Sequence, residues 1–138
     1  MKKILVGVDN SPASHRALKW AYDEAERWGA ELHVIHAWEG PSRPVARVAT
    51  TEPREITEYD NAEILAAAMK ELPTVKNVVV HPHLLEGDPS ELLRREGKDA
   101  DLIVIGAHGR HGFMEAMLGS VAYKLTHQSP CPVAVIRS

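Results

Sequence analysis

DLIVIGAHGRHGFMEAMLGS, residues 101–120, is the stretch whose reading decides the fold. Leu102-Ile103-Val104-Ile105 is too short for a helix and β-branched enough for a strand buried on both faces. The run breaks at Gly106 into a loop carrying Gly109 and Gly112, and closes at Gly119-Ser120, where Val121, Ala122 and Leu125 begin a helical pattern. Strand, small-residue loop and helix N-terminus together make an anion site. Glycines let backbone N–H groups converge without Cβ obstruction, and the helix start adds partial positive charge.

Outward from that stretch, strands and helices alternate. Lys3–Asp9 (KILVGVD) reads as a strand with an acidic end. Ser11 then serves as N-cap, with Pro12 at the first helical position. Ala17, Leu18, Ala21, Ala25 and Trp28 recur at helical spacing, and Gly29 follows as C-cap. Glu31–Trp38 is a second strand. Residues 39–52, rich in Pro, Ser, Thr and Arg, read as a long exposed loop. A helix is expected from about Pro53 to Leu72, with Ile56, Tyr59, Ile64, Ala67 and Ala68 as its apolar face. A third strand is expected over Val75–Leu85, with Pro82 placing it at an edge. Asp88-Pro89-Ser90-Glu91 starts a short helix that stops near Gly97. After the glycine loop, a helix over Gly119–His127 leads through Ser129-Pro130-Cys131-Pro132 to a last strand, Val133–Ile136. The expectation is a single α/β domain over residues 1–138. Its five-stranded, mainly parallel sheet is doubly wound, with helices on both faces. Ligands of such sheets collect beyond the strands' carboxyl ends, here Asp9, Ala37 and Gly106.

Composition bounds the function classes. At 138 residues, with 44% hydrophobic and 25% charged residues, the chain is of ordinary domain size and globular type. Nineteen acidic against sixteen basic residues give a formal charge of −3, which argues against nucleic acid or an anionic membrane as partner. The single cysteine, Cys131, has no internal partner and favours a reducing compartment. The apolar run after Met1-Lys2-Lys3 stops at Asp9, short of a secretory signal, and no segment approaches a membrane span. The reading is cytoplasmic.

The spacing Gly106-x2-Gly109-x9-Gly119-Ser120 resembles the universal stress protein family, as do Val8-Asp9, His36-Ala37 and Cys131-Pro132-Val133; the resemblance covers the whole chain. It implies an adenine nucleotide alpha hydrolase-like, Rossmann-like fold and the ATP-binding branch of the family, often homodimeric. By that resemblance, Gly7, Val8 and Asp9 border the adenosine, with the Asp9 carboxylate near adenine or ribose. Ala37 and the backbone at Ile105 line the adenine pocket. Gly106, His108, Gly109, Gly119, Ser120 and Val121 wrap ribose and phosphates. On the residues' own chemistry, Ser120 can donate a hydroxyl and Arg110 can supply charge to a phosphate. Some members carry Ser or Thr after Gly-Ser-Val where this chain has Ala122, which leaves AMP open beside ATP, with or without Mg2+. The implied role is a stress-response protein switched by nucleotide. Its partners would be an adenine nucleotide, a second copy through the apolar final strand, and an unidentified protein.

Other features point to structure first. His33 and His36 read as core or rim residues. His81-x-His83 and His108-x-x-His111 have metal-binding spacing, but no cysteine or carboxylate joins either pair in sequence, so no metal site is assigned. Cys131 between two prolines reads as a small buried residue. The G-x-x-x-x-G-K-[ST] and G-x-G-x-x-G loops are both absent, and no catalytic residue is assigned. A nucleotide-free dimeric scaffold and a slow ATP hydrolase stand as the alternatives.

Overall fold

A computed structural model describes residues 3–40, 58–109 and 118–138. The aliphatic runs form β1 (Lys3–Gly7), β2 (Glu31–Trp38), β3 (Val80–Glu86), β4 (Leu102–Gly106) and β5 (Val133–Ile136). They lie side by side in the order β3-β2-β1-β4-β5, and every neighbouring pair is parallel. Between them run α1 (Pro12–Trp28), α2 (Glu58–Lys70), α3 (Pro89–Glu96) and α4 (Ser120–Gln128). The expected doubly wound α/β sheet is the one observed.

Alternation along the strands sends side chains to two cores. Ile4, Val6, Leu32, Val34, Leu102 and Val104 pack against Ala17, Leu18 and Ala21 of α1 and Leu65 and Ala68 of α2. Leu5, Ile35, Ile103 and Ile105 face the other way, onto Leu93 of α3 and Ala122 and Leu125 of α4. Burying an aliphatic side chain of this size is worth roughly 1.5–3 kcal/mol, so a sheet covered on both faces is strongly favoured. The order also fixes a switch point. From β1 the chain winds through β2 to β3, then crosses back to β4 and β5 on the other side, opening a crevice between β1 and β4.

The helix starts follow the sequence. Ser11 caps α1 by accepting from the Ser14 amide, and Asp88 caps α3 by accepting from the Glu91 amide. Gly29 ends α1 at φ 68°, a left-handed conformation that glycine adopts without strain.

Three expectations are corrected. The third strand begins at Val80, not Val75, because Leu32, near the start of β2, pairs with Val80. Val75 stands in solvent, and the Asn77 amide bonds the Tyr22 hydroxyl of α1 at 3.1 Å instead of a strand. The buried face of α2 is Asn61, Leu65 and Ala68; Tyr59 and Ala67 are exposed, and Ile56 lies outside the described residues, as does the start expected at Pro53. Trp28, expected among the apolar positions of α1, is 42% exposed at its last turn. The edge position inferred from Pro82 holds, since β3 is an outer strand.

Candidate functional site

The turn after β1 is built by short-range hydrogen bonds. Asn10 takes a positive φ of 69°, which asparagine tolerates better than bulkier residues. The reversal lets Asp9 Oδ1 accept from the Ser11 amide at 3.0 Å, while the Asp9 amide donates to Ser14 Oγ at 3.2 Å. Ser11 Oγ also reaches the His108 carbonyl at 3.4 Å, tying the β1 turn to the loop after β4.

The described ends of the loop after β4 are also tied down by backbone bonds. The Ala107 amide donates to the Ile136 carbonyl, and the Gly119 amide to the Ala107 carbonyl, both at 2.7 Å. Gly106 sits so close to α1 that an added Cβ would lie 2.8 Å from the carbonyl carbon and the Cβ of Ala13. Gly109 faces Asp9 across the crevice, where an added Cβ would come within 3.2 Å of Asp9 Oδ2. Gly119 precedes α4 and has no side chain with which to cap it. The first-turn amides of that helix thus receive no cap from their own N-cap residue, which suits them to an anionic ligand.

Between these loops lies a cavity of about 350 Å3 at the carboxyl ends of β1, β2 and β4, within the size range of small-molecule sites. Of the residues expected to form one site, Gly7, Val8, Asp9, Ala37, Ile105, Gly106, His108, Gly109, Gly119, Ser120 and Val121 all line it. Arg110 lies outside the described residues. The charge expected from it is therefore not located, and His111 is in the same position. The lining is largely apolar on the Ile35, Ala37, Leu93 and Val121 side, and polar where Asp9, His108, Ser120 and the loop backbone meet.

The sequence model of the universal stress protein family matches residues 1–137. The chain belongs to the universal stress protein family. A universal stress protein of Mycolicibacterium smegmatis is 39% identical over 137 residues, covering 97% of this chain and 45% of that protein. The chain thus spans less than half the length of the curated relatives it matches. Among solved structures, UspA of Lactobacillus plantarum superposes with a TM-score of 0.72 at 26% identity, covering 99% of this chain and 97% of its own. A universal stress protein of Archaeoglobus fulgidus in complex with dAMP gives 0.70 at 26% identity, covering 99% and 98%.

In this universal stress protein, sequence reasoning missed Ser14, Ile35, Pro89 and Leu93 as cavity residues, and placed Ala122 only as a missing hydroxyl. Pro89 and Leu93 share one face of α3 at a spacing of four. Their place above β1 follows from the crossover, which no local pattern states. Ser14 was legible in principle, three residues after the cap Ser11 and within reach of the Asp9 turn.

His36 and Cys131, also singled out in sequence, have structural surroundings. His36 is buried, its Nδ1 at 2.8 Å from the Val8 carbonyl and its Nε2 at 2.6 Å from Asn61 Oδ1. Cys131 is half-buried against the second core. Burial pushes its thiol up from the ordinary value, with Asp101 adding to it and Ser129 opposing, which disfavours the nucleophilic thiolate. No helix among the described residues is long and apolar enough to cross a membrane.

Proposed function

We propose that the chain binds an adenine nucleotide in the crevice between β1 and β4, and that occupancy sets its conformation or its choice of protein partner in a cytoplasmic stress response. The observation that carries this reading is the convergence of Asp9, the Gly106–Gly109 loop and the uncapped start of α4 on one cavity. The dAMP bound by the A. fulgidus relative supports the same ligand class. Apolar contacts from Ile35 and Ala37 would hold the base. Asp9 would accept from the adenine amine or a ribose hydroxyl, and the amides of Gly109, Ser120 and Val121 would bond phosphate oxygens, with Ser120 adding its hydroxyl.

ATP is the nucleotide proposed, with AMP as the nearest competitor, because Ala122 brings no hydroxyl to the phosphate end. A second copy is proposed to pair along β5. Among the described residues lining the cavity, Asp9 and His108 are the titratable side chains, and Asp9 Oδ1 is engaged by the Ser11 amide, so binding rather than turnover is the proposed role.

Calorimetry on nucleotide-stripped protein with ATP, with and without Mg2+, beside AMP, tests the proposal. The expected result is one nucleotide per chain, abolished by Val121→Trp, which fills the cavity, and weakened at least tenfold by Asp9→Ala. No binding of any adenine nucleotide would move the function to a nucleotide-free dimeric scaffold. Single-turnover phosphate release lost in Asp9→Ala would make it a slow hydrolase.

A further inference from the structure

At the far end of the sheet from the nucleotide crevice, β2 and β3 carry a cluster that the proposed function does not use. Parallel register sets His33 of β2 beside His81 of β3, with Glu31 two residues before His33 on the same face. Linear spacing offered only His81-x-His83 without a carboxylate; the sheet supplies both the carboxylate and another imidazole. One ligand atom each from Glu31, His33 and His81 lie within 4.8 Å of one another. Glu31 Oε1 is 3.1 Å from His81 Nε2 and 3.6 Å from His33 Nε2. Zinc–nitrogen bonds of about 2.0–2.1 Å set the ligand atoms of a tetrahedral site roughly 3.3 Å apart, so these separations bracket the spacing required.

The other ring nitrogen of His33 is also accounted for. His33 Nδ1 lies 2.8 Å from His83 Nε2. In the tautomer with Nδ1–H donating to His83, Nε2 would offer its lone pair to an ion shared with the Glu31 carboxylate. Metal-bound histidines are oriented in this way by a partner on their second nitrogen. The rings stack, with His33 centroids 4.5 Å from His81 and 5.0 Å from His83, which limits their rotation. Lys3 shares this end of the sheet, but its ammonium is held by Asp99 at 2.9 Å.

We propose that Glu31, His33 and His81 bind a zinc-class divalent ion that clasps edge strand β3 to β2, with His83 positioning His33 and a fourth coordination position open to solvent. Two imidazoles and one carboxylate suit Zn2+ over Mg2+ or Ca2+, which prefer oxygen-rich shells. Glu31 is exposed and the His81 side chain is 42% exposed, so the fourth position can hold water or a side chain of another molecule.

The test is calorimetry of chelator-stripped, tag-free protein with ZnCl2 in the absence of nucleotide, so that failure of the nucleotide reading does not affect it. One ion per chain is expected, with a Tm that climbs as zinc is added. His81→Asn and Glu31→Gln should each weaken binding at least tenfold, and His83→Asn should weaken it less. His127→Asn, an exposed histidine on α4, should leave it unchanged. Co2+ added to the unsubstituted chain should give the visible absorption of a tetrahedral or five-coordinate site. Absence of both zinc heat and cobalt absorption overturns the proposal, as does zinc affinity unchanged in His81→Asn.

Discussion

At the scale of single residues, the sharpest constraint is steric. Gly106 ends β4 where the α1 backbone passes over it, and a methyl group there would meet main-chain and Cβ atoms of Ala13 at 2.8 Å. Backbone cannot rotate aside as a side chain can, so Gly106→Ala should destabilise by about 1–3 kcal/mol, read as a lower urea midpoint. Asp88 shows the same economy in a cap. Its carboxylate accepts from the Ser90 hydroxyl at 2.7 Å and the Glu91 amide at 3.1 Å. The Ser90 bond is the largest influence and holds the carboxyl below its ordinary 3.8; partial burial works against it, and the Glu91 amide and Lys124 lower it further. Because the folded-state value is the lower one, this contribution is complete above about pH 4 and is lost as pH falls through the folded-state value. Asp88→Asn keeps an acceptor but does not titrate, so its stability should fall less steeply in acid. Asp88→Ala should cost about 1 kcal/mol at neutral pH in thermal or urea unfolding.

At the scale of elements, His36 joins three of them. From β2 it bonds the Val8 carbonyl at the end of β1 and Asn61 on α2, all behind the crevice between β1 and β4. His36→Leu fills the space but removes the imidazole's bonds to the buried Val8 carbonyl and to Asn61 Oδ1, and losing the partner of a buried carbonyl costs about 1–3 kcal/mol when no water enters. The expected result is a lower Tm together with weaker nucleotide binding, since Val8 and Asp9 lose their support. The Asn61→Ala variant should lower Tm with a smaller effect on binding. This linkage also marks the limit of sequence reading. β1, β4 and the positions of Gly106, Gly109 and Gly119 were legible because their signals are local: aliphatic runs, a cap, glycines at fixed spacing. The face of α2 was not. Asn61 is buried there because a histidine waits beneath it, and a polar residue in a helix reads as solvent-facing until its partner is known. The Glu31–His33–His81 cluster was hidden for a related reason, since register between parallel strands is set by packing across the sheet.

At the scale of the whole molecule, the sheet has two edges and they differ. On β3, the Val79 carbonyl bonds Leu32 and the Gly87 amide bonds Trp38, so alternation turns residue 82 outward, where proline presents no donor. That edge is blunted against a second strand. On β5, the Pro132 and Ile136 carbonyls bond β4, which turns the amides of Val133 and Val135 to the open side. All four β5 residues are only half-buried, and Val-Ala-Val-Ile is the kind of apolar edge that joins its own copy across a two-fold axis. Val135→Pro removes one outward donor without touching the β4 ladder, because the Val135 amide does not bond β4. Light scattering at micromolar concentration should give a dimer for the unsubstituted chain and a monomer for Val135→Pro with an unchanged circular dichroism spectrum. A monomer for both would remove the β5 edge from the proposed assembly, and a dimer for both would shift it to another surface.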